Sequence, residues 1–324
     1  LSKRNLKTLI NLLKNFGATF YPKNKYQLPL RLVSSQIPVG IKYEEKGGSA
    51  QIKSAAILAG LNSFGKTKVI IKKESRDHTE NLLKKIGAKI YKRNTKGELI
   101  IEVEGKQPLK PFKIDIGGDP SSAAFFTALT ILSEGSSLKI SSLGLNPNRI
   151  GFYNLLKKHG AKIKIMNIKK KNFETYGDIL VKSGKIKPIR CGAAYYSKTV
   201  DEYPILFVIA ALNNGLSEFK GIQDLANKES NRILEMKNLL AKIKIKSKLT
   251  SSGIKIYGYK KINSSNKLIQ VNPKLDHRIC QSAAILALVS GFKIKIKNFE
   301  TVNTSAPSFL KIIKQLGGKF EVKK

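Results

Sequence analysis

One apolar segment recurs four times in this chain and limits how it can fold. It reads "SAQIKSAAILAGLN" from Ser49, "DPSSAAFFTALTILSEG" from Asp119, "DEYPILFVIAALNNG" from Asp201 and "DHRICQSAAILALVSG" from Asp276, with starts 70, 82 and 75 residues apart. Each copy opens with polar or charged residues, continues as an apolar, Ala-rich helix, and stops at Asn or Gly. A short β-type run follows each copy: "KTKVIIK", "SSLKISSL", "SEFKGI" and "FKIKIKN". Then comes a second, amphipathic helix in "RDHTENLLKKIGAKI", "RIGFYNLLKKHGAKI", "ESNRILEMKNLLAKI" and "APSFLKIIKQLGGKF", and a fifth copy of it, "LKTLINLLKNFGATF", stands near the start. The unit reads β-α-β-α-β-β over ~70–80 residues, longer than the ~40-residue period of a helical solenoid. A helix apolar on all sides must be buried. The expected fold is therefore α/β, with repeated units around buried parallel helices.

If those helices run parallel, their polar tips meet at one end, where free N–H groups and partial positive charge favour anions. Ser49, Gln51, Asp119, Asp201, Asp276, His277 and Arg278 occupy those tips. Taken alone, Asp201 before an apolar run reads as a helix N-cap. A break falls in "DIGGDPSS", where Gly117 and Gly118 precede Asp119-Pro120. It divides an incomplete first lobe, 1–117, with about one and a half units, from a second lobe, 118–324, with three.

The formal net charge of +38 invites a nucleic-acid reading. The lysines, however, are spread along the whole chain, as in "IKIKSK" and "FKIKIKN", and no zinc-finger or RNP-type motif accompanies them. Such a field draws small anions. Of 60 basic residues only eight are Arg. Where lysine is the default, a retained guanidinium marks a place that needs a planar fork for carboxylate or phosphate. Arg4, Arg76, Arg232 and Arg278 all fall at unit tips or loop ends. In "NKESNR", Lys228 and Arg232 are spaced i, i+4 and share a face if the helix extends that far, with Glu229 beside both. Asp201 near such cations is placed to act as a general base. Cys191 and Cys280 share no ligand spacing, and three scattered histidines give no metal site. No apolar run reaches membrane-spanning length, and "LSKRNLKTLINLLKNFG" reads as an amphipathic helix, not a secretion signal.

In order and spacing, "SAQIKSAAILAGL", "RDHTE", "GDPSSAAF", "GLNPNRIGF", "DEYPIL", "KESNR", "DHRI" and "TSAPSF" resemble the motifs of the 5-enolpyruvylshikimate-3-phosphate synthase family. The similarity runs over essentially the whole chain and is nearest to the bacterial class with "SAQ" and "DEYP". It implies the two-domain enolpyruvyl transferase fold and a transferase that moves the carboxyvinyl group of phosphoenolpyruvate to the 5-hydroxyl of shikimate 3-phosphate. Phosphate leaves through a tetrahedral intermediate, with no cofactor or metal. By motif, Ser49, Ala50, Gln51, Arg76, Asp201 and Lys228 would bind shikimate 3-phosphate, while Arg4, Gln51, Arg232 and Arg278 would bind phosphoenolpyruvate. Asp201 would take the 5-hydroxyl proton, Lys228 would assist, and Glu229 would handle the methylene proton. The family pattern also implies a cytoplasmic monomer that binds neither membrane nor nucleic acid. Ala226, Asn227 and Asn231 depart from the usual "LRVKESDR", and Ala306 replaces an aromatic residue. Family members carry a further N-terminal stretch with a Lys-Ser…Arg phosphate clamp that is not in this sequence, so the 324 residues alone are expected to be inactive or nearly so. Two alternatives stand beside this reading. One is the related transferase acting on UDP-N-acetylglucosamine, whose mobile-loop Cys matches neither Cys191 nor Cys280. The other is a non-catalytic basic protein binding anions or RNA.

Overall fold

A computed structural model of the chain describes residues 4–95, 97–259 and 267–322. The chain divides into two compact units, one of residues 1–115 with 170–174, the other of 116–169 with 175–324.

The first unit runs α1 (Lys7–Asn15), β1 (Thr19–Tyr21), β2 (Arg31–Val33), β3 (Lys42–Glu45), α2 (Ala50–Leu61), β4 (Lys66–Ile71), α3 (His78–Lys85), β5 (Ile90–Thr95) and β6 (Glu98–Glu104). From β3 onward this is one β-α-β-α-β-β unit, with sheet order β3-β4-β6-β5. β3 and β4 pair in parallel across α2, while β5 and β6 close the sheet as an antiparallel hairpin. Residues of β4 alternate between exposed and buried, as one face packs on the helices. Leu12 and Phe16 of the α1 region join Ala56, Ile57, Val69, Leu83 and Ile101 in the core.

In chain order the second unit holds α4 (Pro120–Leu132), β7 (Ser137–Gly144), α5 (Gly151–Lys158), β8 (Lys162–Lys171), β9 (Glu174–Lys182), β10 (Arg190–Cys191), α6 (Tyr196–Thr199), α7 (Tyr203–Ala211), β11 (Gly215–Lys220), α8 (Arg232–Lys242), β12 (Ser247–Thr250), β13 (Gly253–Gly258), β14 (Ile269–Val271), α9 (His277–Ser290), β15 (Ile294–Ile296) and α10 (Phe309–Gln315). The repeat is plain in the sheets. The order β10-β11-β13-β12 copies β3-β4-β6-β5, and the parallel pair across the apolar helix recurs as β10 with β11 and β14 with β15. In the unit built on α4, a single parallel bridge from Gly118 to Leu143 takes the place of the first strand.

α4, α7 and α9 pack on one another at the centre of this unit. All nine residues of α7 are buried, which the uniformly apolar "YPILFVIAA" requires. Each fully buried Ile, Leu or Phe there contributes about 1.5–3 kcal/mol relative to exposure. α2 departs from the expectation of a wholly buried helix: only Lys53, Ala56, Ile57 and Gly60 are buried along it. The first unit gives it a single sheet with α1 and α3 as neighbours, whereas each central helix of the second unit has two other apolar helices beside it. The amphipathic helices α1, α3, α5 and α10 all end at a left-handed glycine, Gly17, Gly87, Gly160 and Gly317; α8 uses Lys244 at φ 60° for the same turn.

α2 lies so close to its sheet that a Cβ at Gly60 would come within 2.5 Å of the Thr67 Cβ on β4. Helix propensity favours Gly60→Ala by about 1 kcal/mol, but overpacking against a strand opposes it by about 1–3 kcal/mol. The clash is with a buried residue on fixed backbone, so Gly60→Ala is expected to lower the midpoint of denaturant unfolding. A rise would show that α2 can lift off β4 freely.

Candidate active site

In the second unit the tips of the three central helices meet around two arginines. Asp119 is the N-cap of α4, and its carboxylate accepts from the Ser122 N–H at 2.9 Å. Asp276 is the N-cap of α9 and accepts from the Arg278 N–H at 2.9 Å. At α7 the N-cap position belongs to Glu202, with no side-chain capping bond. Asp201 therefore does not cap, and the N-cap reading of it fails. Its carboxylate lies 3.5 Å from Arg232 Nη1 and 3.9 Å from Arg149 Nη1. Arg149 also pairs with Asp119 and donates to Ser121 Oγ at 3.0 Å. Asp119, Arg149, Asp201, Arg232 and Asp276 form one chain of ion pairs that ties three helix N-termini together, so the helices run in the same direction.

Arg232 begins α8 and is only 1% exposed. Its Nε donates to Asp276 Oδ2 at 2.9 Å and its Nη2 to Glu229 Oε2 at 2.6 Å. The same Asp276 oxygen accepts from Ser230 Oγ at 3.0 Å. Burial works against the guanidinium charge, but Asp276 and then Glu229 outweigh it and hold Arg232 above its ordinary value. Arg278, 7% exposed, lies with its Cζ 5.7 Å from the Phe125 ring centre. Among the described residues, Nε and Nη1 of Arg278 and Nη1 of Arg232 have no hydrogen-bond partner. Buried donors of this kind are rare unless a ligand or an ordered water completes them. His277 is held below its usual value by burial and then by Arg278, which favours a neutral ring.

Lys228 differs from the expected helical face. It follows the short 3₁₀ turn Gln223–Asn227 in extended conformation, and α8 starts only at Arg232. The i, i+4 argument therefore does not apply to Lys228 and Arg232. Lys228 Nζ instead donates to Asp224 Oδ2 at 2.8 Å and sits 6.0 Å from the Tyr196 ring centre, while the Tyr196 hydroxyl donates to the same Asp224 oxygen at 2.7 Å. Asn231, which replaces the usual Asp, keeps the capping role: its side chain accepts from the Leu234 N–H at 3.1 Å.

The remaining candidates belong to the first unit. Ser49 caps α2 through the Ile52 N–H at 3.3 Å, Ala50 is the first helical residue, and Gln51 beside it is exposed. Ahead of them the buried Glu45 carboxylate accepts from the backbone N–H groups of Gly47, Gly48 and Ser49 at 3.0, 2.7 and 3.1 Å, which fixes the approach to the tip. Arg76 is half-buried in the loop between β4 and α3, where its carbonyl accepts from Lys53 Nζ at 2.5 Å. Arg4 is half-buried just ahead of α1.

The sequence reading missed two residues of the cluster. Arg149 could have been found from the scarcity of arginine, since it too is one of the eight. Glu202, 3% exposed, carried no signal beyond its place beside Asp201. Both cysteines are buried thiols, pushed by desolvation up to about 11 for Cys191 and about 12 for Cys280, so neither is a reactive nucleophile. Among the described residues no helix is long and apolar enough to cross a membrane.

The architecture is one seen in enolpyruvyl transferases. The fold superimposes on NikO, the enolpyruvyl transferase of Streptomyces tendae, with a TM-score of 0.78 over 98% of this chain and 72% of that one, at 14% identity. The EPSP synthase from Acinetobacter baumannii matches with a TM-score of 0.85 and 31% identity, covering all of this chain and 73% of that one. Residues 1–313 match the family of EPSP synthase, 3-phosphoshikimate 1-carboxyvinyltransferase, and the chain belongs to that family. Proteins bearing the latter name are 36% identical in Zymomonas mobilis, over 99% of this chain and 72% of that protein, and 36% identical in Petrotoga mobilis, over 98% and 72%.

Two outcomes follow from the cluster's electrostatics. Burial, and then the charge of Asp201, raise Glu202 from 4.5 to about 7 in the folded state. The folded protein thus keeps a proton that the unfolded chain loses, so this contribution is complete below about pH 4.5 and is lost as pH rises through about 7. At about 1.4 kcal/mol per unit, wild type should lose about 3 kcal/mol relative to Glu202→Gln between about pH 4.5 and 8. Parallel pH–stability curves from urea unfolding would refute this. Asp276→Ala should cost about 3–5 kcal/mol, because it leaves a buried guanidinium short of its main partner; equilibrium unfolding measures it.

Proposed function

We infer that this chain carries the machinery for the reaction of its family, transfer of the carboxyvinyl group of phosphoenolpyruvate to the 5-hydroxyl of shikimate 3-phosphate with release of phosphate, a step of aromatic amino acid biosynthesis. EPSP synthases use those two small molecules. One observation above all supports the assignment of residues: Arg232 and Arg278 are buried cations with side-chain nitrogens that have no hydrogen-bond partner among the described residues, and Arg232 lies 3.5 Å from the Asp201 carboxylate. That arrangement suits a small substrate carrying both phosphate and carboxylate.

In this reading Arg232 and Arg278 hold phosphoenolpyruvate, as do Arg4 and Gln51. Ser49, Ala50, Gln51, Arg76, Asp201 and Lys228 hold shikimate 3-phosphate. Asp201 removes the 5-hydroxyl proton as that oxygen attacks the enol carbon, while Glu229 delivers a proton to the methylene carbon. Elimination then expels phosphate and returns a proton from that carbon to Glu229, whose carboxylate accepts from Arg232. The arginines bind charge already present in the substrate and the charge that builds on the departing phosphate, and preorganised donors stabilise the second most. The related transferase reading is not favoured, since both thiols are buried and the named relatives act on 3-phosphoshikimate. Nor is the anion- or RNA-binding reading favoured.

The test, run on the complete gene product, is phosphate release from phosphoenolpyruvate that depends on shikimate 3-phosphate. Asp201→Asn should lower kcat by ~10²–10⁴, the range for a general base, with binding of shikimate 3-phosphate retained. Arg278→Lys should raise the KM for phosphoenolpyruvate about tenfold or more, since a point charge replaces the fork. Wild-type kcat in Asp201→Asn would remove the base assignment.

A further inference from the structure

We propose that the buried pair Lys53–Glu80 is a positioning device that sets Arg76 against the tip of α2; this rests on the reading of Arg76 as a ligand of shikimate 3-phosphate. Lys53 lies one turn into α2, just beyond Ser49, Ala50 and Gln51, and its side chain is 1% exposed. Its Nζ lies 2.8 Å from Glu80 Oε1 on α3, a carboxylate with 0% exposure, and donates to the Arg76 carbonyl at 2.5 Å. A second tie, Ser54 Oγ to Thr79 Oγ1 at 2.6 Å, joins the same two helices. The next residue of the Arg76 loop is held as well, since Asp77 accepts from Lys92 Nζ at 3.0 Å.

Stability does not account for the pair. Taking two charges out of water cancels most of their attraction, and apolar side chains of the same size usually serve as well or better. An apolar pair would lose one thing, a charged donor aimed at a backbone carbonyl. That bond fixes the peptide leaving Arg76, and with it the direction in which the guanidinium leaves the loop. Glu80 in turn stops Nζ from swinging away. α2 thereby carries both its own capped tip and, through Lys53, the loop that presents Arg76. Lys53 and Glu80 act through Arg76 and are not catalytic residues.

The experiment replaces both partners in the complete gene product, Lys53→Met with Glu80→Met, keeping length and bulk without charge. The expected result is an unchanged unfolding temperature, a KM for shikimate 3-phosphate raised about tenfold, and kcat and the KM for phosphoenolpyruvate within about twofold of wild type. A folded double variant with an unchanged KM for shikimate 3-phosphate overturns the proposal. Should the double variant not fold, Glu80→Gln preserves shape and is expected to raise the same constant about threefold; no rise overturns the proposal equally. Arg76→Ala, run in parallel, separates the two levels. If it leaves that KM unmoved, the role of Arg76 falls, and the positioning role with it. If it raises the constant while the double variant does not, only the positioning role falls.

Discussion

The second unit depends on the bond between Asp276 and Arg232. Asp276 is fully buried, and its two oxygens meet the N-terminus of α9, the guanidinium that opens α8, and the hydroxyl of Ser230. One side chain thus closes a helix end and fixes a cation on a neighbouring helix. The geometry has a second effect. With Nε directed to Asp276 and Nη2 to Glu229, the planar fork leaves Nη1 on the Asp201 side. A lysine in place of Arg232 could neutralise Asp276, but it has no rigid fork to divide between a structural partner and a ligand.

Asp201 and Glu202 show how far neighbouring carboxylates can differ. Asp201 is about one quarter exposed, and its carboxylate faces the guanidinium groups of Arg232 and Arg149 at 3.5 and 3.9 Å. Glu202 is buried, and desolvation dominates over Ser121, Arg149 and Arg278, leaving it close to half-protonated at neutral pH. If both were fully charged, Asp201 would face a repelling like charge at its back. A neighbour that carries its own proton avoids that conflict, at the expense of stability at high pH.

Much of this was legible in the sequence because it rests on periodicity and scarcity. The recurring apolar helices could be read from side-chain pattern alone, and the sheets beside α2 and α7 repeat the same strand order. Arg232 and Arg278 stood out because lysine fills nearly every other basic position. The Lys228 reading was less successful. Its i, i+4 spacing to Arg232 assumed a helix, but Asn231 caps α8 immediately before Arg232 and leaves Lys228 in extended backbone. Spacing predicts a shared face only inside a helix, and the cap that ends it lies within the motif. The partial exposure of α2 was hidden for another reason: burial depends on how many neighbours surround a helix, which the helix's own residues do not encode.

Lys228 also bears on how the proposed site receives its substrates. Its partner Asp224 is more than half exposed, and Lys228 itself is about one quarter exposed. An ion pair of that kind holds by only about 0.2–1 kcal/mol and weakens with salt. Arg232 is in the opposite situation, buried and anchored at several atoms, so its position is set before any ligand arrives. Lys228 and Arg232, two of the cations assigned to the substrates, therefore differ in kind. Arg232 offers a preorganised socket, as stabilisation of developing charge requires. Lys228 is restrained by a bond that a phosphorylated ring can replace at little cost, as suits a group that must find its ligand.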